Sequence, residues 1–368
     1  MTTTEATTQE IDIDFAAVEE FAGKLVATMS GALTTCLIDI GRRTNLFELA
    51  TQGPATSQEL ADRGGLQERY VREWLAAMAT AGIFEYDAQT GRFWLPIEHA
   101  ALLTGDTYDN LTALAYLIQT CTKQGEAVAR CFTEGGGVPW SAFGPEMLDV
   151  MDVLWQPMVR DLAVQHYLPL APGLVAALEQ GIRVADVACG TGNLSSMLAR
   201  RFPRSTFVGF DQDEGGIAVA TDRNAEVPNL TYSVADAAAL TTAEPFDAVI
   251  IFNAVHDQAR PGDVLKAAHD VLRPGGWFLM NEPRISSVLA DNLDTPETSI
   301  IYGISLLHCM TVSLAEGGAG LGTGWGEQVA VQLLGDAGFG PVEVHDAEGD
   351  PTNAIFVTHR LDVTQRPD

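Results

Sequence analysis

Several acidic or basic side chains come directly after apolar stretches of this sequence. Asp186 lies at the end of an apolar stretch, just before the glycine loop of the segment Val184-Ala185-Asp186-Val187-Ala188-Cys189-Gly190-Thr191-Gly192. Asp211, Asp236 and His256 each follow a later apolar stretch. Glycines permit positive φ and let a ligand lie against the backbone. If the stretches are strands of one parallel sheet, their carboxyl ends share an edge, where open α/β sheets bind ligands. The pattern therefore predicts a ligand site with several carboxylates.

The glycine loop alone does not identify the ligand, because a dinucleotide-binding loop also follows a first strand. Counted from Gly190, the third glycine of G-x-G-x-x-G is replaced by Ser195, and Asp186 would repel a pyrophosphate. S-adenosyl-L-methionine carries an ammonium and a sulfonium group and no phosphate. A carboxylate at Asp211 suits two ribose hydroxyls, and Asp236 is placed to meet an adenine amino group.

We therefore predict that S-adenosyl-L-methionine is the cofactor and S-adenosyl-L-homocysteine its product, with an NAD-dependent oxidoreductase as an open alternative. The predicted cofactor residues are Asp186, Ala188, Gly190, Gly192, Asp211, Gln212, Asp236, Ala237 and Asn253.

A histidine and a glutamate are the candidate catalytic residues. His256 follows the fourth strand in Asn253-Ala254-Val255-His256-Asp257-Gln258, and Glu282 ends the next strand. An imidazole suits a general base near neutral pH, and a carboxylate can orient it. Such a pair favours O-methylation. Two alternatives stay open: His256 binds only a loop carbonyl, or it orients the acceptor in S-, N- or C-methylation without acting as a base.

Bulky side chains predict a small, partly hydrophobic acceptor, although such residues are also common in a core. The predicted pocket residues are Trp155, Met158, Tyr302, His308, Met310 and Trp325. The five cysteines are scattered without C-x-x-C spacing, which predicts reduced thiols and no metal site.

Alternating strands and helices must position these residues. Strands are predicted at 182–187, 206–210, 230–234, 246–252 and 277–280, with helices at 193–202, 215–223 and 261–272. Two last strands, 342–345 and 354–358, have no helix between them, which predicts an antiparallel hairpin at one end of a mostly parallel sheet. A second mononucleotide-binding half would not end in such a hairpin.

The N-terminal part has a winged-helix pattern. Apolar residues recur at helical spacing between Phe15 and Leu49, Thr56 and Glu59 form a capping box, a helix runs from Leu66 to about Ala81, and two short strands are predicted at 83–86 and 91–95. Such a unit binds DNA or serves as a dimerisation scaffold. Residues 1–105 carry 7 Lys and Arg against 15 Asp and Glu, which disfavours DNA. A homodimer is therefore expected, and a ligand-sensing regulator is the runner-up.

Length and charge fit this organisation. We divide the 368 residues into a tail (1–14), a winged-helix domain (15–105), a helical linker and pocket cover (106–180) and the cofactor domain (181–368). The net charge of −28 disfavours nucleic-acid partners. We find no signal peptide and no run near the ~18 apolar residues of a membrane helix. A soluble, cytoplasmic protein is expected.

Taken together, the motifs resemble those of class I S-adenosylmethionine-dependent methyltransferases. Besides the positions above, Leu272-Arg273-Pro274-Gly275-Gly276 contributes to the resemblance. With the winged-helix module, the chain resembles small-molecule O-methyltransferases whose N-terminal domain dimerises. Gly135-Gly136-Gly137-Val138-Pro139 and Gly303-Ile304-Ser305-Leu306-Leu307-His308-Cys309-Met310 resemble an actinobacterial-type branch.

The resemblance implies a Rossmann-like sheet, a catalytic role for His256 and a supporting role for Glu282. The sequence departs from the family's pattern at two places. Ala188 replaces the usual first glycine, which is tolerable if that residue keeps a negative φ. The stretch Ala315–Trp325 is glycine-rich, and no second supporting carboxylate can be placed in it.

Overall fold

The structure, a computed structural model, describes residues 13–295 and 297–361. Residues 1–12 of the predicted tail lie outside this range, and Asp14 caps the first helix by accepting from the backbone N–H groups of Ala16 and Ala17. The chain divides into two compact units, residues 1–104 and 105–368.

The N-terminal unit is a winged helix. Its elements are α1 (Phe15–Arg43), α2 (Leu46–Ala50), α3 (Ser57–Gly64), α4 (Glu68–Thr80), β1 (Glu85–Asp87), β2 (Arg92–Trp94) and α5 (Ile97–Leu103). The predicted capping box is present, with Thr56 and Glu59 satisfying each other's backbone N–H groups. The two strands pair antiparallel as the predicted wing. Phe47, Trp74 and Phe84 pack edge-on in its core.

Helix α1 exposes a row of apolar side chains. They recur every three or four residues and share one helix face. Those more than two fifths exposed are Ile13 just before the helix and Phe15, Val18, Phe21, Leu25, Val26, Met29, Leu33 and Ile40 within it. Only the last third of the helix contributes to the core of the unit, through Leu37 and Ile38.

Two helical segments are long and apolar enough to cross a membrane by length and composition alone, Phe15–Arg43 and Thr298–Ala315. The sequence-based expectation that no stretch reaches this length is therefore not met. Core helices of soluble proteins and signal sequences near an N-terminus pass the same test, so two such helices are weak evidence for a membrane span.

The C-terminal unit begins with helices. They are α6 (Thr112–Thr122), α7 (Gly125–Glu134), α8 (Pro145–Met158), a π-helix (Val159–Tyr167) and α9 (Leu174–Gln180). The helical run breaks after Glu134, since α7 ends there and a short 3₁₀ turn covers Trp140–Phe143.

A seven-stranded sheet forms the centre of this unit, in the order β5-β4-β3-β6-β7-β9-β8. The strands are β3 (Arg183–Val187), β4 (Thr206–Asp211), β5 (Leu230–Val234), β6 (Phe246–Phe252), β7 (Leu272–Pro283), β8 (Glu343–Ala347) and β9 (Asp350–His359). β3 to β7 are parallel, and β9 is antiparallel to both β7 and β8. The predicted Rossmann-like sheet with a terminal antiparallel hairpin is confirmed.

Helices cover both faces of this sheet, as its apolar strands require. They are α10 (Asn193–Arg201), α11 (Glu214–Arg223), α12 (Pro261–Val271), α13 (Thr298–Ile304), a π-helix (Ser305–Cys309), α14 (Met310–Ala315) and α15 (Gly326–Ala337). Alternate residues of each strand enter two separate cores, such as Ala185 and Val184 on β3. This arrangement fixes which residues reach the carboxyl edge of the sheet.

Candidate functional site

The glycine loop makes a left-handed turn directly after β3. Ala188 has φ +58°, so the expectation that it keeps a negative φ is wrong. The turn lets the next residue, Cys189, donate its N–H to the carbonyl of Phe210 on β4 (3.0 Å). An alanine in this region costs about 1–2 kcal/mol relative to glycine. The strain thus lies in the backbone of the loop itself.

Asp211 ends β4 beside this loop. Its carboxylate accepts from the N–H of Gly190 (2.8 Å) and of Asp213 (2.9 Å), which leaves lone pairs on both oxygens. A Cβ at Gly190 would meet no atom within 4 Å, so the space over the loop is open. Burial raises the pKa of Asp211, while the two N–H groups oppose the rise. The carboxylate of Asp211 thus lies directly against the glycine loop.

Asp186 lies deeper, at 3 % exposure. Its carboxylate accepts from the N–H of Ser195 (3.1 Å) in the first turn of α10. Burial raises the pKa of Asp186 to about 7, with Ser195 opposing and Asp211 adding to the rise. A cation above the loop would favour the ionised form of this acid.

The remaining predicted cofactor residues lie after the next strands. Asp236 accepts from the N–H of Ala238 (2.9 Å) and pairs with Arg260 (2.6 Å), so its outer oxygen already has a cationic partner. Gln212 is exposed, Ala237 is buried, and Asn253 has φ +48° with its amide on Asn281 (2.6 Å).

Asp152 on α8 contacts the glycine loop, which the sequence analysis did not predict. Its carboxylate accepts from Thr191 and from Asn193 (3.0 Å) in the glycine loop, and it pairs with Arg223 on α11 (2.5 Å). It thereby joins the helical layer to the loop. No local pattern marks it, because its partners lie about 40 residues or more away in the chain.

His256 and Glu282 meet at the carboxyl edge of β6 and β7. The imidazole Nδ1 lies 2.5 Å from Glu282 Oε2, and both side chains are buried. Glu282 Oε1 also accepts from the N–H groups of Ala254 (3.2 Å) and Val255 (2.8 Å). These three contacts identify Glu282 as the acceptor and place the proton of His256 on Nδ1.

The electrostatics of this pair favour a proton on the imidazole. Burial by itself lowers the pKa of His256, but Glu282 and then Cys309 raise it, and the net pKa is well above its usual value. Asp257 beside it has a pKa raised to about 6 by burial, with His256 opposing. The pair therefore favours the protonated imidazole, and the base form of His256 is the neutral ring that keeps its proton on Nδ1.

The glycine-rich stretch Ala315–Trp325, called the strap below, packs against the loop that carries His256. Gly322 donates to the carbonyl of His256 (2.9 Å), Ala319 to that of Ala259 (2.9 Å), and Ser313 Oγ to that of Gln258 (2.9 Å). These contacts give the glycine-rich stretch a structural role, since its backbone must lie directly against the His256 loop.

The predicted pocket residues do not all lie together. Met158 is in the apolar core on one face of the sheet and Trp325 is in the core on the other face. Trp155 packs against the same core as Met158. Tyr302 accepts from Asn292 through its hydroxyl (3.1 Å) and packs against the strap at Gly324. Met310 lies close to Gly322 in the strap.

His308 is almost completely enclosed by the protein. Its ring lies edge-on to Trp140 (5.4 Å) and Phe143 (4.8 Å), and its exposure is 2 %. Burial, followed by the neighbouring His256, lowers the pKa of His308 to about 3, so its ring is neutral. Nε2 has no hydrogen-bond partner among the described residues.

The segment Gly135–Pro139 explains this aromatic enclosure. Gly137 lies so close to α14 that a Cβ would overlap the carbonyl of Thr311, and Val138 donates its N–H to Thr311 Oγ1 (2.9 Å). The contact of Gly137 and Val138 with Thr311 positions Trp140 beside the ring of His308. Both motifs stand out in the sequence, but nothing in the local pattern indicates that they touch.

Two family models match the chain. The Rv2258c-like winged HTH domain matches residues 32–105, and the model described as a methyltransferase domain matches residues 184–276. The chain thus combines a winged-helix domain with a methyltransferase domain.

Curated relatives align with parts of the chain. A fatty-acid O-methyltransferase of Mycolicibacterium smegmatis is 36% identical over 106 residues, which cover 28% of this chain and 38% of that protein. A trans-aconitate 2-methyltransferase of Streptomyces avermitilis is 34% identical over 119 residues, covering 31% and 41%. The chain spans about two fifths of the length of these relatives.

Solved structures match over nearly the whole chain. Mitomycin 7-O-methyltransferase aligns with a TM-score of 0.66 at 18% identity, covering 94% of this chain and 100% of that one. Human N-acetylserotonin methyltransferase, solved with S-adenosylmethionine, aligns with a TM-score of 0.66 at 14% identity, covering 97% and 100%. At these identities the likeness shows the fold.

Proposed function

We propose that the chain transfers a methyl group from S-adenosyl-L-methionine to an oxygen of a small acceptor, with His256 as general base. The observation that supports this most directly is the buried contact of 2.5 Å between His256 Nδ1 and Glu282 Oε2 at the sheet edge. The carboxylate of Asp211 lies against the glycine loop at the same edge, where it accepts from the N–H of Gly190. A base and a donor site at one edge fit a proton-coupled group transfer.

The residues of the loop fit the proposed cofactor. Asp211 offers free lone pairs to two ribose hydroxyls, and Asp186 supplies negative charge beneath the loop. Asp236 can accept from an adenine amino group if its carboxylate binds that group in addition to Arg260 or in place of it. When bound, the cofactor supplies an electrophilic methyl group on a sulfonium.

The chain's own residues then act on the acceptor. Glu282 orients His256 and keeps its proton on Nδ1, so Nε2 is the nitrogen that removes the acceptor's proton. After the transfer the imidazolium is stabilised by Glu282. The burial of both groups excludes water from the proton transfer.

Two measurements test this function. Calorimetry should detect binding of S-adenosyl-L-homocysteine and no binding of NAD. A screen of small molecules with a labelled methyl donor should identify the acceptor. We expect His256→Ala to preserve the affinity for S-adenosyl-L-homocysteine while methyl transfer falls by about 10²–10⁴-fold. Unchanged turnover would remove His256 as the base and favour transfer by positioning alone.

We further propose that the winged-helix unit forms a homodimer through α1. A helix of this length spans roughly 44 Å at 1.5 Å per residue, and its exposed face is apolar over most of that length. A second copy presents the same apolar face, which a two-fold interface requires. Five free cysteines suit a reducing compartment, so we propose a cytoplasmic location.

The observations favour this proposal over a DNA-binding regulator. Arg69 and Arg72 on α4 pair with Glu73 (2.5 Å) and Glu68 (3.3 Å) of the same helix. A helix that reads DNA needs basic groups free for phosphates and bases.

A further inference from the structure

The glycine loop between β3 and α10 is held in place by contacts along its length. Neighbouring strands hold three of its residues: Cys189 through the carbonyl of Phe210 (3.0 Å), Gly190 through the carboxylate of Asp211 (2.8 Å) and Gly192 through the hydroxyl of Tyr232 (3.2 Å). Thr191, between the two glycines, is held from the helical layer, because its hydroxyl donates to Asp152 on α8. One residue of the loop thus depends on a helix that precedes the sheet in the chain.

The carboxylate of Asp152 accepts from three donors. Besides Thr191, Oδ1 accepts from the amide of Asn193 at the start of α10 (3.0 Å), and Oδ2 pairs with Arg223 at the end of α11 (2.5 Å). Hydrogen bonds to an ionised carboxylate are stronger than those between neutral groups. The side chain of Asp152 is only 13 % exposed and Thr191 is buried, so little water competes for the contact. Asp152 therefore joins three helices to the loop.

The loop needs such support because its backbone is left-handed at alternate residues. Ala188 has φ +58°, Gly190 has φ +53° and Gly192 has φ +79°. Glycine gives the chain more conformational freedom than any other residue, and alanine is strained in this region. Since Thr191 separates the two glycines, a contact that fixes its side chain restricts the peptide groups on both sides of it. A loop that is already restricted loses less conformational entropy when a ligand binds.

We propose that Asp152 is a positioning residue, which holds the glycine loop through Thr191 in the conformation that receives S-adenosyl-L-methionine. This inference rests on the proposed function for the identity of the ligand. Asp152 acts through the hydroxyl of Thr191 and not by a contact with the cofactor. Removing the carboxylate and removing the hydroxyl should therefore weaken donor binding for the same reason.

The test is calorimetric titration of the full chain with S-adenosyl-L-homocysteine. We expect Asp152→Ala and Thr191→Val each to weaken binding by about 10-fold, because either change removes the hydrogen bond between α8 and the loop. The double variant should bind no more weakly than Asp152→Ala alone, since both changes remove one interaction. Two independent contributions would instead multiply to a loss of about 100-fold.

Asp152→Asn separates the hydrogen bond from the charge. The asparagine oxygen can still accept from Thr191, although the ion pair with Arg223 is lost. We expect an affinity within about threefold of the wild type, because an ion pair with a half-exposed arginine contributes little. Asp222→Ala is the matched control for charge. Asp222 is exposed and precedes Arg223 on α11, and its removal changes the net charge as Asp152→Ala does, so wild-type affinity is expected.

Urea unfolding without ligand confirms that each variant is folded under the conditions of the titration. Thr191→Val decides the question by itself if Asp152→Ala does not fold. Wild-type affinity in folded Thr191→Val, losses that multiply in the double variant, or Asp152→Asn binding as weakly as Asp152→Ala would overturn the inference. These results would leave the proposed function standing, because the wild-type chain still binds S-adenosyl-L-homocysteine. Absence of binding by the wild type would instead contradict the proposed function.

Discussion

At the scale of single residues, the proposed base His256 and its partner Glu282 should determine the pH dependence of the reaction. The raised pKa of His256 means that the base form is scarce at neutral pH and grows as the pH rises. We expect kcat/KM to rise with pH and to level off above that pKa. A profile that falls across this range would contradict a base role.

The ion pair of His256 and Glu282 also contributes to the free energy of unfolding. This contribution is fully present below about pH 6.5 and is lost as the pH rises through the pKa of His256 in the folded protein.

Glu282→Gln tests the partner of the base. A glutamine amide can donate to Nδ1, which would move the ring proton to Nε2 and abolish the base, as in a triad whose aspartate becomes asparagine. We expect kcat to fall by about 10²–10⁴-fold, while affinity for S-adenosyl-L-homocysteine is preserved. The rising limb of the remaining activity should shift to lower pH. Activity equal to that of the wild type would exclude Glu282 as the orienting group.

Replacing Asp186 should raise the free energy of unfolding and lower the affinity for the cofactor. Its pKa of about 7 means that the folded state holds a proton that the unfolded chain releases near pH 4, so the folded state loses stability as the pH rises from 4 to 7. We expect Asp186→Asn to raise the free energy of unfolding at pH 8 by ~2–4 kcal/mol. Affinity for S-adenosyl-L-methionine should fall in the same variant. Denaturant unfolding and calorimetry measure the two effects, and a destabilised variant would contradict the cause assigned to the pKa.

Ala188 offers a local test of backbone strain. Its φ of +58° is favourable for glycine, so Ala188→Gly should stabilise the fold by about 0.5–1 kcal/mol in chemical denaturation. Ala254, at φ −140°, is the matched control, and glycine there should destabilise. A destabilised Ala188→Gly would show that the methyl group contributes more packing than the turn costs.

At this scale, residues at strand ends could be predicted from the sequence, and contacts between distant segments could not. Asp211, His256 and Glu282 could be placed because each lies at or just after the end of a strand. Asp152 could not, because its contacts depend on how α8 packs against the glycine loop. The predicted sign of φ at Ala188 was wrong for a related reason. It depends on pairing with β4, which the local pattern does not contain.

At the scale of elements, the glycine segment before Trp140 has a measurable role. A Cβ at Gly137 would overlap the backbone of α14, so Gly137→Ala should push the segment away from His308 and destabilise the protein by about 1–3 kcal/mol. Gly125, at the start of α7, meets no atom within 4 Å and is the control. Alanine there should be neutral or stabilising by thermal unfolding. Equal effects at both positions would contradict the close approach.

The elements themselves were largely predictable. The strand predicted at 246–252 coincides with β6, and the terminal hairpin is expected from two apolar runs without a helix between them. β7 extends further than predicted at both ends, since Leu272 pairs with Phe246 and its far end pairs with β9. The spacing of apolar residues and the positions of glycine and proline predict where an element lies, while the strands that pair with it determine where it ends.

At the scale of the whole molecule, assembly through α1 can be tested directly. Leu25→Glu places a charge on the exposed apolar face, and Ala27→Glu places one on the opposite face of the same helix. Light scattering after gel filtration should find a dimer for the wild type and for Ala27→Glu, and a monomer for Leu25→Glu. A wild-type monomer would refute the proposed interface.

The most direct test of the central proposal is calorimetric titration of the full chain with S-adenosyl-L-homocysteine. Asp211→Ala serves as the site control, and NAD as the ligand control. We expect one site per chain for S-adenosyl-L-homocysteine, weaker binding by Asp211→Ala because the ribose loses its carboxylate, and no heat from NAD. Absence of binding by the wild-type chain, or equal affinity in Asp211→Ala, would contradict the assignment of this edge of the sheet as a methyl-donor site.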